Sequence, residues 1–419
     1  SQLESLKHRG PDDKGTYINS GISLGMCRLA IVEIDDGRQP GTDLTEKIHL
    51  VFNGEIYNYL ELKYELAQNG INCRTSSESE VIINLYLKFG LNFIGKLNGM
   101  FSIAIHDARD KSLHLIRDRM GKKPLWISQL NDGTLFFASE VRALMLARPD
   151  RTLRTDMVAE VMQYGYINAP HSAFNEITQV PPASVLTWHE GKTIIKKYWE
   201  PDFDTKVQIP YEEALEITKK LIEESVSRRL ISERPLGSFL SGGYDSTIVT
   251  AYMAKLMSEK VQTYSIGFHS AQFNEAHHAK QVANYLGTNH HEEILSPDPA
   301  LVVEKISHVL DQPFADSSIV PTYLLAKFAR ENLIVALGGD GGEFCAGGAG
   351  GGADLGDEKA HIVGHSMGGK TAMHFAELYP EKVESLTIVD IAPKAYPAGH
   401  GEYFRAFETI DFSQVQSRK

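Results

Sequence analysis

Ser241-Gly242-Gly243-Tyr244-Asp245-Ser246 decides the reading of the centre of this chain. Residues 235–240, just before it, form an apolar run that reads as a strand, and residues 247–257 read as a helix. A Gly-Gly pair between a strand and a helix lets backbone N–H groups converge on an anion without interference from Cβ atoms. Ser241 and Ser246 add hydroxyl donors. Asp245 cannot meet a phosphate directly, because two anions repel, but it makes sense as a ligand for Mg²⁺ that neutralises phosphates. The loop therefore reads as a pyrophosphate-binding turn using Mg-ATP. A glycine-rich turn with an Asx cap on the next helix remains the alternative.

The Gly-Lys-Ser/Thr ending of a Walker P-loop is missing. The hexapeptide instead resembles the SGGxDS loop of ATP pyrophosphatases, which cleave ATP to AMP and pyrophosphate. That resemblance implies ATP and Mg²⁺ as cofactors, with ATP contacts from Leu240, Ser241, Gly242, Gly243, Asp245 and Ser246. Downstream landmarks resemble asparagine synthetases. Tyr264-Ser265-Ile266-Gly267-Phe268 is similar to the strand whose backbone contacts adenine, which makes Ile266 a candidate ATP contact. Residues 311–316 and Pro321-Thr322-Tyr323 resemble the segment that lines the acceptor site. Leu337-Gly338-Gly339-Asp340-Gly341-Gly342 resembles the second nucleotide loop, so that Gly338 and Gly339 would touch ATP. Asp340 would be the acid that deprotonates ammonia or the tetrahedral intermediate, a role that sequence does not separate from Mg²⁺ binding. Gly338 replaces the usual serine, and Glu343 falls where a second Mg-ligating aspartate is expected. The resemblance is expected to end near Gly348.

Working outward, helical and strand patterns alternate from residue 211, as a parallel α/β sheet requires. The expected elements are helices over 213–230 and 275–286 and strands over 261–268 and 332–337. Residues 1–150 differ. Short apolar or alternating runs at 24–34, 48–52, 101–107, 112–117 and 135–138 read as strands, with helical spacing at 59–69 and 79–89. Four segments in order, His8-Arg9-Gly10-Pro11-Asp12-Asp13, residues 28–32, residues 53–58 and Arg117-Asp118-Arg119-Met120-Gly121, resemble the glutaminase domain of class II amidotransferases. The resemblance implies a four-layer αββα N-terminal-nucleophile hydrolase domain. It makes Asn53 and Gly54 an oxyanion hole, Arg28 a bidentate clamp on the glutamine α-carboxylate, and Glu55 and Glu78 further glutamine contacts. Glu78 stands where the family has aspartate. Asn53-Gly54 could equally be a hairpin turn. The first motif begins at residue 8, whereas in the family it lies well downstream of the nucleophilic cysteine. Cys27, in an expected core strand, reads as a small buried hydrophobe. The glutaminase half is therefore expected to be inactive.

The remaining division is a connector over 151–204, a synthetase domain over 205–346, a Gly-rich linker over 347–353 and a segment over 354–419. In that last segment Gly364-His365-Ser366-Met367-Gly368 sits between an expected strand and a helix over 370–378, with the next strand at 385–390. This is the nucleophile-elbow pattern, and the stretch resembles α/β-hydrolase esterases, with Ser366 as the nucleophile. No triad base follows in the usual place. The fold class is thus α/β and α+β multidomain. The alternatives to an ATP-dependent amidotransferase are a serine esterase and a non-catalytic chimeric fusion.

Bulk properties fit these readings. The chain has 419 residues, 42% of them hydrophobic, and a net charge of −12, which disfavours nucleic-acid and anionic-membrane partners. The expected partners are small molecules: aspartate or another carboxylate, with ammonia or glutamine. A homodimer stays open. Three scattered cysteines form no disulfide framework and no metal pair, which fits a cytoplasmic protein.

Overall fold

The computed structural model describes residues 2–32, 34, 37–202, 208–269, 276–295, 299–316, 318–339, 360–365 and 383–389. The first half runs α1 (Gln2–Ser5), β1 (Asp13–Asn19), β2 (Ile22–Arg28), β3 (Gly41–Thr42), β4 (Ile48–Ile56), α2 (Tyr59–Gln68), α3 (Glu78–Phe89), β5 (Gly99–Asp107), β6 (Ser112–Arg117), β7 (Trp126–Gln129), β8 (Leu135–Ala138), α4 (Val141–Ala147), α5 (Met157–Tyr164), β9 (Thr178–Gln179), β10 (Ser184–His189) and β11 (Lys192–Lys197).

Six of these strands form an antiparallel sheet in the order β11-β10-β6-β5-β4-β3. Along β4, Ile48, Leu50, Phe52 and Ile56 enter one apolar cluster while Val51 enters another, as period-two geometry demands. The first cluster takes Leu62 and Leu66 of α2 and Val81, Ile82 and Leu85 of α3. The second joins the sheet to a second β layer, built from β1-β2 and β8-β7-β9, through Leu24, Leu125 and Val180. Behind that layer α4 buries Val141 and Leu144 against Trp126 and Ala138. Helix, sheet, sheet, helix is the four-layer order expected from the sequence.

Three expectations are corrected here. Residues 151–204 are more than a connector, since β10 and β11 complete the six-stranded sheet and β9 pairs with β7. Val185 and Leu186 enter opposite cores, the signature of a central strand. Asn53 and Gly54 are not a hairpin turn. They lie inside β4, opposite Ser102 and Phe101, and Gly54 holds a φ of 147° with Met100 O only 1.9 Å from where its Cβ would be. The strand expected over 24–34 ends at Arg28, whose guanidinium turns to the carbonyls of Val32 and Ile34.

The second half runs α6 (Tyr211–Arg228), β12 (Leu236–Phe239), α7 (Tyr244–Leu256), β13 (Gln262–Phe268), α8 (Ala276–Leu286), β14 (Asn289–Leu295), α9 (Pro299–Val309), α10 (Ile319–Ala329) and β15 (Val335–Leu337). Its four strands are all parallel, in the order β14-β13-β12-β15. Leu236 and Leu337 pack with Val226 and Met253 of α6 and α7, whereas Phe239 and Tyr264 pack with Leu325, Phe328 and Ala329 of α10 on the opposite face. Further on, β16 (Ala360–His365) and β17 (Val383–Val389) pair in parallel. Ser366 and the helix expected over 370–378 lie outside the described residues. Among the described residues, no helix is long and apolar enough to cross a membrane.

The 117–121 motif earns its place in the fold through Asp118. Its carboxylate, 1% exposed, accepts hydrogen bonds from the backbone N–H of Phe101, Met120, Lys122 and Lys123. Alanine at 118 would leave those donors buried and unpaired. Asp118→Ala is predicted to lower the unfolding free energy of the first half by about 3 kcal/mol, read from urea titration; a loss within error would contradict this account of the turn.

Candidate active sites

The parallel sheet reverses its order at β12. The chain steps from β12 to β13 and β14 on one side and returns to β15 on the other. A crevice opens at such a switch point, beyond the carboxyl ends of the strands, and ligands of open α/β sheets bind there. The loops that follow β12 and β15 are the two nucleotide loops read from sequence.

The first loop is held from within. Leu240, 1% exposed, donates its N–H to Tyr264 O, which ties the end of β12 to β13. Gly243 caps α7 and donates its N–H to Ser241 Oγ at 3.3 Å. The hydroxyls of Ser241 and Ser246 lie 3.0 Å apart, and Ser246 is buried. The first-turn N–H groups of α7 lack partners within the helix and present its positive dipole end to the crevice.

Gly242 has a φ of 86°, and a Cβ there would lie 2.7 Å from Ala279 N. A Cβ on Gly339 would lie 2.4 Å from Ser246 N and 2.8 Å from Asp245 Cβ. The second loop thus closes on the first turn of α7, and only glycine permits the approach. Gly338 precedes it, and Ile266 lies two residues past the last β12 partner on β13, at the same carboxyl edge.

These residues fit a magnesium-bound polyphosphate. Asp245, half-buried in the first turn of α7, is the described acid that would hold such a metal. No group of three or more metal-ligating side chains exists among the described residues. Phosphate and water would complete the shell, as Mg²⁺ prefers. The other expected acids, Asp340 and Glu343, lie outside the described residues.

The second site is a cavity of about 820 Å³ between the two β layers of the first half. Arg28, Asn53, Gly54, Glu55 and Glu78, all singled out from sequence, line it together. Arg28 is 9% exposed, and its Nη2 donates to Val32 O at 3.0 Å. Glu78 Oε1 accepts from Ile56 N at 2.7 Å, which fixes it against β4 just past Glu55. Burial pushes the Glu55 carboxyl up, opposed by the charges of Lys123 and Arg229. Burial pushes the Lys123 ammonium down, opposed by Glu55. Sequence reading missed Lys123; it follows the 117–121 motif, but nothing in that motif announces its burial. Cys27 lines the same cavity, yet its Sγ donates to Leu3 O and burial pushes its thiol up. A thiol so placed is a poor nucleophile.

Residues 311–316, expected to line the acceptor site, lie against the first half. Asp311 accepts from the N–H groups of Val141 and Arg142, and Gln312 Oε1 accepts from Ala173 N. Pro321 falls in the first turn of α10, where its missing N–H costs nothing.

A model described as a glutamine amidotransferase domain matches residues 1–199, and one described as asparagine synthase matches residues 218–362. A Methanocaldococcus jannaschii protein named "Putative asparagine synthetase (glutamine-hydrolyzing) 2" is 34% identical over 373 residues, covering 82% of this chain and 71% of that relative. The chain belongs to the glutamine-hydrolysing asparagine synthetase family.

Asparagine synthetase (glutamine-hydrolyzing) 1 of Bacillus subtilis is 33% identical over 347 residues, 82% of this chain but 54% of its own length. This chain thus spans about half the length of several relatives it matches. A solved glutamine phosphoribosylpyrophosphate amidotransferase from B. subtilis covers 94% of this chain and 79% of its own at 14% identity, with a TM-score of 0.36, too loose a likeness to add to the assignment. An alpha/beta hydrolase fold model matches residues 353–416 and overlaps the end of the synthase match, which runs past the boundary expected at Gly348.

Gly339→Ala is predicted to weaken Mg-ATP binding at least tenfold, because the new methyl cannot share space with the first turn of α7. Calorimetric titration with a non-hydrolysable ATP analogue checks this, and wild-type affinity would contradict it.

Proposed function

We propose that this synthetase-family chain is an ATP-dependent carbon–nitrogen ligase that activates a small carboxylate, aspartate being the first to test, as an acyl-adenylate for attack by ammonia. The observation that carries this reading is the crevice where the 241–246 loop and Gly338-Gly339 close on one helix N-terminus. A site built of backbone N–H groups, two hydroxyls and one acid suits the phosphates of ATP. Mg²⁺, when bound through Asp245, would draw charge from the leaving pyrophosphate.

In the first step a carboxylate oxygen of the acceptor bonds to the α-phosphorus, and the bond to the β-phosphate oxygen breaks. The helix N-terminus and the loop donors hold the departing pyrophosphate. In the second step ammonia bonds to the acyl carbon, a proton leaves the nitrogen, and the carbon–oxygen bond to AMP breaks. Asp340, next in sequence after Gly339, is proposed as the acceptor of that proton. Ammonia rather than glutamine is the proposed nitrogen source, because the half-buried Cys27 that lines the amide cavity donates its Sγ–H to Leu3 O and its thiol is pushed up, away from the nucleophilic thiolate.

The expected result is AMP and pyrophosphate formation that requires both aspartate and ammonium, with Asp245→Ala reducing it about a hundredfold. Folded protein that forms no AMP with any small carboxylate would sink the proposal. Release of glutamate from glutamine by the purified chain would overturn the choice of nitrogen source.

A further inference from the structure

The residues just before β12 reach across to the amide cavity. Glu233 N donates to Ile31 O at 3.0 Å, and Ile34 N donates to Glu233 Oε2 at 3.2 Å. Arg234 Nε donates to Ala30 O at 2.9 Å, and its Nη2 lies 3.3 Å from Asp12 Oδ2. That same Asp12 oxygen accepts from Ala30 N at 2.9 Å, while Asp12 N donates to Arg28 O at 3.0 Å. Three residues therefore converge on the loop after β2: Asp12 from the first motif, and Glu233 and Arg234 from the second half.

This loop is the one that orients Arg28. The carbonyls of Val32 and Ile34 accept from Arg28 Nη2 and Nη1, at 3.0 and 3.3 Å. Glu233 grips the backbone at 31 and 34, and Arg234 grips it at 30, so the Arg28 acceptors are bracketed by contacts from the other half. A guanidinium whose acceptors are fixed is pre-organised, and a bidentate contact to a carboxylate depends on such fixing. A shift of the loop by even 1 Å would misplace it.

We propose that Glu233 and Arg234 are positioning residues for the amide cavity, so that an amino acid held through Arg28 is bound by a site the nucleotide half completes. This rests on reading Arg28 as the anchor of the ligand α-carboxylate. The ligand class is an α-amino acid with an amide side chain, and L-glutamine is the probe. The strand that begins two residues after Arg234 ends at the ATP loop, so these two side chains are also where the halves meet nearest in sequence to the crevice.

The test is calorimetric binding of L-glutamine to the full chain, with binding of an ATP analogue measured on the same samples. Arg234→Ala and Glu233→Ala are expected to weaken glutamine about tenfold, the loss typical of one or two positioning hydrogen bonds, and to leave the ATP analogue unchanged. Glu233→Gln, whose amide oxygen can still accept from Ile34 N, is expected to bind as wild type. Asp12→Ala, which removes the acceptor of Ala30 N, provides a further probe from the first half and is expected to weaken glutamine as well. If Arg28→Ala abolishes binding while both alanine variants at 233 and 234 bind like wild type, the positioning role is overturned. A joint loss of glutamine and ATP-analogue binding would mark a merely structural role and overturn it too. Wild-type protein that does not bind glutamine, or Arg28→Ala that binds it normally, would overturn the amide-site reading and this proposal with it.

Discussion

A parallel sheet whose strand order turns back at its centre must part its loops at the turning point, and that constraint organises this molecule. Because β12 has β13 on one side and β15 on the other, their following loops leave the sheet edge side by side. Each carries a glycine at a close approach, Gly242 against α8 and Gly339 against the first turn of α7. The helix N-terminus between them supplies the polar surface, and the fold need add only one acid. The crevice is thus a consequence of topology, sharpened by two positions where a methyl group has no room.

The first half answers to a different constraint. Two β layers must share an apolar interface, yet a cavity of about 820 Å³ opens between them, rimmed by charged groups. Those charges are held in opposed pairs. Glu55 and Lys123 are each disfavoured by burial and each favoured by the other. Arg229, just after α6, lies 4.4 Å from the Tyr57 ring centroid, and its charge favours the ionised Glu55 carboxyl. Asp311 at the start of α4 likewise carries a carboxylate of the second half into the first. The second half therefore fixes loops of the first, although the residues lining the cavity all lie in the first half and those around the crevice all lie in the second.

Much of this was legible in the sequence. Strands β6 and β8 match the apolar runs at 112–117 and 135–138, because short apolar runs bounded by turns leave a clear pattern. Helices α2, α3 and α8 follow their periodicity to within two residues. The amide-site residues, scattered from 28 to 78, were gathered by motif resemblance rather than by spacing. What stayed hidden was set by tertiary contact. Strand β14, Asn289-His290-His291-Glu292-Glu293-Ile294-Leu295, is a sheet edge and reads as polar. The role of Asn53-Gly54 depended on Met100 lying against it. Lys123, Glu233 and Arg234 carry no local signal, since what matters about each is a neighbour a hundred or more residues away or a burial no single residue announces.

The most direct measurement is the fate of oxygen from the acceptor carboxylate. Aspartate labelled with ¹⁸O in its side-chain carboxylate, supplied with Mg-ATP and ammonium, should deliver one labelled oxygen to AMP, as an acyl-adenylate requires. Label in orthophosphate would mean an acyl-phosphate route at the other end of ATP. Product formed with no label in either phosphate-containing product would contradict carboxylate activation in the crevice altogether.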